Sequence, residues 1–145
     1  MKSGVQWHSK AQYPTEPNEI DGVKQALEDI SNTRIPVVYI KDNPRPLAEM
    51  ESCLTATKGL DPAQCAQLRS AAFEDEPALT AIKQIASPLI TIANLDDSYC
   101  GQDQCLPIIG NVVVYRDDNH LTNTFVKTLA PRLTEILTAS IESQG

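Results

Sequence analysis

The sequence predicts an α/β domain, and three observations carry that prediction. Residues 36–40 and 89–93 are brief, β-branched apolar runs without alternation, the pattern of parallel strands buried on both faces. A helical stripe precedes the first run, which gives half of a βαβ unit. Residues 112–115 form a third short apolar run that passes straight into the polar turn Asp117-Asp118-Asn119-His120, and a helix pattern follows at once. Strand-to-loop-to-helix junctions are where α/β enzymes place reactive side chains, because the sheet fixes the backbone and the loop exposes the groups.

Composition narrows the class further. The 145 residues suffice for one domain with a real core, read here as a single unit over 1–145, and 41% hydrophobic with 21% charged residues is ordinary for a soluble globular chain. Aromatics are sparse at 5%, so aliphatic side chains must fill the interior. Twelve basic against nineteen acidic residues leave a net charge of −7, which argues against nucleic acid and against an anionic membrane surface. No stretch approaches the roughly 20 apolar residues of a membrane span, and Met1 through His8 lack the apolar run of a signal peptide. The four cysteines fall as two local pairs, Cys53 with Cys65 and Cys100 with Cys105. Neither spacing fits the two-residue gaps of zinc ribbons or thioredoxin-like sites. Cys100 and Cys105 read as the ends of a small disulfide-closed loop, and Cys53 and Cys65 flank a Gly-Leu-Asp-Pro turn that a second bridge would staple. Two disulfides imply an oxidising compartment.

Taken in order, residues 1–16 are polar and read as an irregular lead-in, with Trp7 packing on the body and His8 exposed. Ile20, Val23, Leu27 and Ile30 recur at helical spacing over 17–33, with Thr15 or Asn18 as the cap. After the first strand, Lys41-Asp42-Asn43-Pro44-Arg45-Pro46 is a run of breakers. Residues 47–60 fit a short helix or a loop. Asp61-Pro62 reads as an N-cap and first turn of a helix through Cys65, Leu68 and Ala72. A further helix starts at Pro77, uses Leu79, Ile82 and Ile85, and closes at Ser87-Pro88. Asn94-Leu95-Asp96-Asp97-Ser98 lies at the C-terminal end of the second strand, where open α/β sheets put their sites. The last helix begins near Thr122 and carries Phe125, Leu129, Leu133, Ile136 and Leu137. Pro131 is expected to kink or split it, and the tail from Ser140 to fray.

Asp117 lies three residues before His120, a spacing that lets one carboxylate orient one imidazole as the base half of a hydrolytic or acyl-transfer triad. Asp118 and Asn119 then serve as turn formers or caps. A nucleophile is harder to find: no Gly-x-Ser-x-Gly elbow and no Gly-Asp-Ser occurs, and Ser98 sits among acidic residues that oppose a developing alkoxide. There is no phosphate loop or dinucleotide fingerprint, so no cofactor is expected. Asp96, Asp97, Asp117, Asp118 and His120 make an oxygen-rich set without metal-ligand spacing, and no metal is assigned to it.

The segment Cys100–Leu133 resembles the C-terminal end of SGNH-hydrolase-type domains, closest to those fused behind the multi-span membrane acyltransferases of the acyltransferase-3 family. The resemblance is carried by Cys100, Cys105, Pro107, Gly110 and Asn111, by Tyr115, Asp117, His120, Leu121 and Thr122, and by Leu129 through Leu133. Val37–Ile40, Asp42, Pro44, Pro46, Cys53, Leu54 and Cys65 also look similar, and Trp7 matches an aromatic position. The resemblance implies a partial three-layer αβα, flavodoxin-like fold with a short parallel sheet. It implies that Asp117 and His120 are two members of a Ser-His-Asp triad, and that the reaction moves an acyl group, usually acetyl, at a hydroxyl of a cell-envelope glycan. The family's Gly-Asp-Ser block, and the Gly and Asn of its oxyanion hole, have no counterpart here. The chain therefore reads as the C-terminal portion of such a domain, lacking the N-terminal strands. Its expected partners are that N-terminal remainder, a membrane acyltransferase domain, and a glycan or acylated small-molecule substrate, in an extracytoplasmic setting (periplasm or cell envelope).

Two other readings stand beside this one: a non-catalytic extracytoplasmic binding or interaction module, and an unrelated disulfide-stabilised α/β protein. With so few strands, the chain alone is expected to be marginally stable or to self-associate through the 36–40 edge.

Overall fold

A computed structural model describes residues 17–143; the expectations for Trp7, His8 and a Thr15 cap lie outside them. The fold is mixed α/β. Helix α1 (Pro17–Asn32) leads into β1 (Val37–Ile40), followed by α2 (Met50–Ala56), a 3₁₀ turn at Pro62–Cys65, β2 (Gln67–Leu68) and α3 (Arg69–Ala72). Then come α4 (Pro77–Ile85), β3 (Ile90–Ala93), α5 (Asp96–Tyr99), β4 (Gln104–Cys105), β5 (Ile108–Ile109), β6 (Val112–Val113) and α6 (Asn123–Glu142).

Among the described residues the strands form three two-stranded sheets. β1 and β3 pair in parallel, Val37 opposite Ile90 through Ile40 opposite Ala93. The other two pairs are antiparallel, β2 with β4 and β5 with β6. The period of two along a strand sorts the parallel pair into two faces. Val37, Tyr39, Ile90 and Ile92 pack with Leu27 of α1 and with Ala81 and Ile82 of α4. On β3, Thr91 meets Ser140 of α6 at 3.1 Å. A second, larger core gathers Met50, Ala72, Leu95, Tyr99, Val114, Tyr115, Phe125 and Leu129 around the buried Cys100–Cys105 bridge.

Both disulfides join the cysteines that the sequence pairs locally, Cys53 with Cys65 and Cys100 with Cys105. No free cysteine remains among the described residues, which fits an oxidising compartment. No helix among them is long and apolar enough to cross a membrane.

Six expectations need correction. The helix expected over 62–72 is broken into a 3₁₀ turn, a strand and a single helical turn, because Cys65 is tied to Cys53 and residues 67–68 pair with 104–105. The run at 112–115 does not join the parallel sheet. It folds back on 108–109 as a hairpin, since Gly110 (φ 54°) and Asn111 (φ 68°) both take the left-handed conformation that a two-residue turn needs. β1 is not buried on both faces: Ile40, at its end, is 51% exposed, and among the described residues β1 pairs with β3 alone. Ile30 turns to solvent despite lying in the α1 stripe. At the C-terminus, α6 runs unsplit through Pro131 to Glu142. Pro131 lies on an exposed turn, where water can satisfy the carbonyl that its missing N–H leaves free. Ser140 is buried against Thr91, so the tail does not fray at that residue.

The packing sets two expected outcomes in urea unfolding. Phe125→Ala, at a nearly fully buried site beside Tyr99, should lower stability by about 3–5 kcal/mol, and Ile141→Ala, at an exposed one, by no more than about 0.5 kcal/mol. Replacing Cys53 and Cys65 together by Ala should cost about 2–4 kcal/mol through the freed denatured-state loop; a loss under about 1 kcal/mol would mean that the link constrains little.

Candidate active site

The site is built outward from Val114, which is fully buried. Its amide donates to the Pro107 carbonyl at 2.9 Å, and its carbonyl accepts from the Thr122 amide at 2.9 Å. Tyr115 bridges to Leu121, and the Arg116 amide donates to the His120 carbonyl at 2.8 Å. The loop between is thus closed at its base before any side chain acts. Thr122 ends it: its hydroxyl donates to the Val113 carbonyl at 2.5 Å and accepts from the Phe125 amide at 3.2 Å, capping α6.

Within the loop, Asp117 makes an Asx-type turn. Its Oδ1 accepts from the amides of Asn119 at 2.9 Å and His120 at 2.6 Å. The same carboxylate meets the His120 ring, with Nδ1 3.0 Å from Oδ1 and 2.9 Å from Oδ2. Arg116 adds a longer contact to Oδ2, at 3.3 Å. These amides, that of His120 first and that of Asn119 second, hold the Asp117 carboxyl well below the usual carboxylate range, and the ring contact adds to them. An ionised carboxylate is acceptor-only, so Nδ1 must be the donor. In the neutral ring that leaves Nε2 with a lone pair, on a side chain that is 61% exposed. Among the described residues no group bonds to Nε2. The arrangement is that of an oriented imidazole base, presented at the start of a capped helix.

The other acidic candidates are committed elsewhere. Asp96, at the first position of α5, pairs with Lys41 at 2.5 Å in a largely buried bridge, and Lys41 also lies 4.1 Å from the centre of the Phe73 ring. Asp97 pairs with Arg69 at 2.7 Å. Ser98 sits half-buried inside α5. No three His, Cys, Asp or Glu side chains among the described residues converge to hold a metal ion. The structure thus brings Asp117 and His120 together, and it pairs Asp96 and Asp97 with Lys41 and Arg69 instead.

One residue of the neighbourhood escaped the sequence reading. Asn43, in the loop after β1, donates its amide to the Asn119 carbonyl at 3.0 Å and to the Pro44 carbonyl at 3.2 Å. It also lines a cleft of about 440 Å³ together with Tyr39, Asp42, Arg45, Phe73 and Glu76. As one polar residue in a run of breakers it carried no signal beyond its place after a parallel strand.

The sign of the Asp117 shift fixes its pH behaviour. A carboxyl whose folded pKa lies below its unfolded value, about 3.9, stabilises its turn fully above that pH. The contribution is lost only as pH falls through the lower, folded value. Followed by NMR, the Asn119 and His120 amide signals should therefore hold their positions down through pH 4 and move only below it, and Asp117→Asn should abolish that acid transition. A midpoint near 4 in the native chain would show the carboxyl to be free of these bonds.

Comparison with known proteins gives the chain a family. Residues 3–135 match the family model described as the SGNH domain (fused to AT3 domains). No curated protein and no solved structure gives a match. The matched segment holds both disulfides, the β1–β3 pair and the whole Asp117–His120 loop, so the chain belongs to the SGNH domains found fused to AT3 domains, a domain type of hydrolase and acyl-transfer chemistry.

Proposed function

We propose that this chain contributes the base and its orienting carboxylate to a Ser-His-Asp site that transfers or hydrolyses O-acyl groups, acetyl above all, on cell-envelope glycans. His120 Nε2 takes the proton of a serine hydroxyl as that oxygen attacks the acyl carbonyl, then returns it to the leaving oxygen. Asp117 holds the ring in the tautomer that leaves Nε2 free, and it offsets the positive charge of the imidazolium that forms. The observation that carries this reading is the double use of one carboxylate, which fixes both the backbone turn and the His120 ring while the other ring nitrogen faces solvent. Two locally closed disulfides support an extracytoplasmic setting.

Among the described residues no serine hydroxyl bonds to His120. In this reading the nucleophile comes from an N-terminal Gly-Asp-Ser segment, which would also add strands to the β1–β3 pair and complete a three-layer αβα domain. Residues 1–145 are then its C-terminal portion, working beside a membrane acyltransferase domain. The same absence of a bonded serine favours a second reading, a non-catalytic module that keeps the fold to contact a glycan or a protein partner.

A fluorophosphonate probe separates the two. The chain alone should not label. Joined to a Gly-Asp-Ser segment of the family, it should label at that serine and hydrolyse an acetyl ester, and His120→Ala should lower turnover by about 10²–10⁴-fold without loss of fold. Full activity in His120→Ala would end the triad assignment. Labelling of the chain alone would move the nucleophile to one of its own serines.

A further inference from the structure

The loop 116–120 is held almost wholly from within. The Asx bonds, the Tyr115–Leu121 bridge and the Arg116–His120 bond all lie between residues close in sequence. Among the described residues, a single hydrogen bond ties this loop to a distant part of the chain. It runs from Asn43 Nδ2 to the Asn119 carbonyl, at 3.0 Å and across 76 residues of sequence. Asn119 is the residue immediately before His120, and its own amide is held by Asp117.

Asn43 is itself held on both sides. Its amide N–H donates to Asp42 Oδ1 at 2.9 Å, and Asp42 Oδ2 accepts from Arg45 at 2.9 Å. The Asp42 amide donates to Glu76 Oε2 at 3.2 Å, and the Lys41 amide donates to the Ala93 carbonyl at 3.1 Å, at the end of the parallel pair. The Asn43 side chain is therefore an arm fixed to the β1–β3 sheet, and its free end grips the peptide that carries His120. We infer that Asn43 is a positioning residue, which sets where the His120 ring stands relative to the sheet and to the cleft that Asn43 itself lines. The physical reason is leverage. The bonds inside the loop fix its shape and the pairing at Val114 and Tyr115 fixes its base, but among the described residues Asn43 alone ties its tip to the β1–β3 sheet, and a general base must be placed within hydrogen-bond reach of its proton.

This inference rests on the Asp117–His120 pairing, and two NMR measurements test them apart. In the full chain carrying His8→Gln, long-range ¹⁵N–¹H NMR reads the tautomer of the remaining imidazole. The Asn43-containing protein should show mainly the Nδ1–H form; the absence of that preference would refute the Asp117–His120 pairing, whatever Asn43 does. With the preference present, Asn43→Ala should change the ¹⁵N–¹H residual dipolar couplings of the Asn119 and His120 amides while those of β1 and β3 keep their values, because the loop then turns against the sheet without losing its own bonds. Asn43→Asp, which keeps the shape but removes the donor, should do the same with an unchanged circular-dichroism spectrum. Should Asn43→Ala fail to fold, Asn43→Asp carries the test by itself. Native couplings of the Asn119 and His120 amides in a folded Asn43→Ala or Asn43→Asp protein would overturn the positioning role.

Discussion

The site depends on the clamp at Val114. Its side chain is fully buried beside Phe125 and Tyr99, and its two backbone groups bond in opposite directions, to Pro107 and to Thr122. A buried backbone group must be paired, so this residue cannot shift without breaking either a hydrogen bond or the core. Everything that presents His120 is hung from that point. The hairpin turn before it, the bridge from Tyr115 to Leu121 and the Thr122 cap each extend a position that Val114 has already fixed. The imidazole is exposed, yet the backbone beneath it is hydrogen-bonded at Val114, Arg116 and Thr122.

The same economy governs the rest of the fold. Among the described residues the strands form three sheets of two, and an isolated two-stranded pair is marginal in water. The chain compensates by other means. Helices α1 and α4 cover one face of the parallel pair, packing Leu27, Ala81 and Ile82 against Val37, Tyr39, Ile90 and Ile92. The second core surrounds the Cys100–Cys105 bridge, and Cys53–Cys65 ties α2 to the 3₁₀ turn. The largely buried Lys41–Asp96 pair joins the residue after β1 to the first residue of α5. Such a pair adds little net stability once desolvation is counted, but removal of either partner would leave a buried charge alone.

Asp117 shows how a short motif builds a self-contained carboxylate–imidazole pair. Three residues of spacing allow one carboxylate to reach two amides and a ring at once, so the side chain that builds the turn is also the one that orients the base. Neither function requires a partner from elsewhere in the chain. This self-sufficiency is what made Asp117 and His120 readable from sequence, whereas the acidic pair Asp96 and Asp97, equally suggestive by position, proved to serve the ion pairs with Lys41 and Arg69.

What the sequence determined by itself was local. Helix α1, helix α4, the runs of β1 and β3, the Thr122 start of α6, both disulfide pairings and the Asp117–His120 contact all follow from periodicities, breakers and spacings within a few residues or a single loop. What tertiary structure decided depends on partners far along the chain. Gln67-Leu68 became a strand only because Gln104-Cys105 lies opposite, and the 112–115 run became a hairpin arm because Gly110 and Asn111 turn it back on Ile108-Ile109. Ser140 stayed helical because Thr91 meets it. Asn43 came to hold the Asn119 peptide because the end of β1 and the Asp117–His120 loop lie side by side. A hydrogen bond from one side chain to a distant carbonyl leaves no period and no spacing in the sequence, since any residue can supply the acceptor; only the folded chain selects which one does.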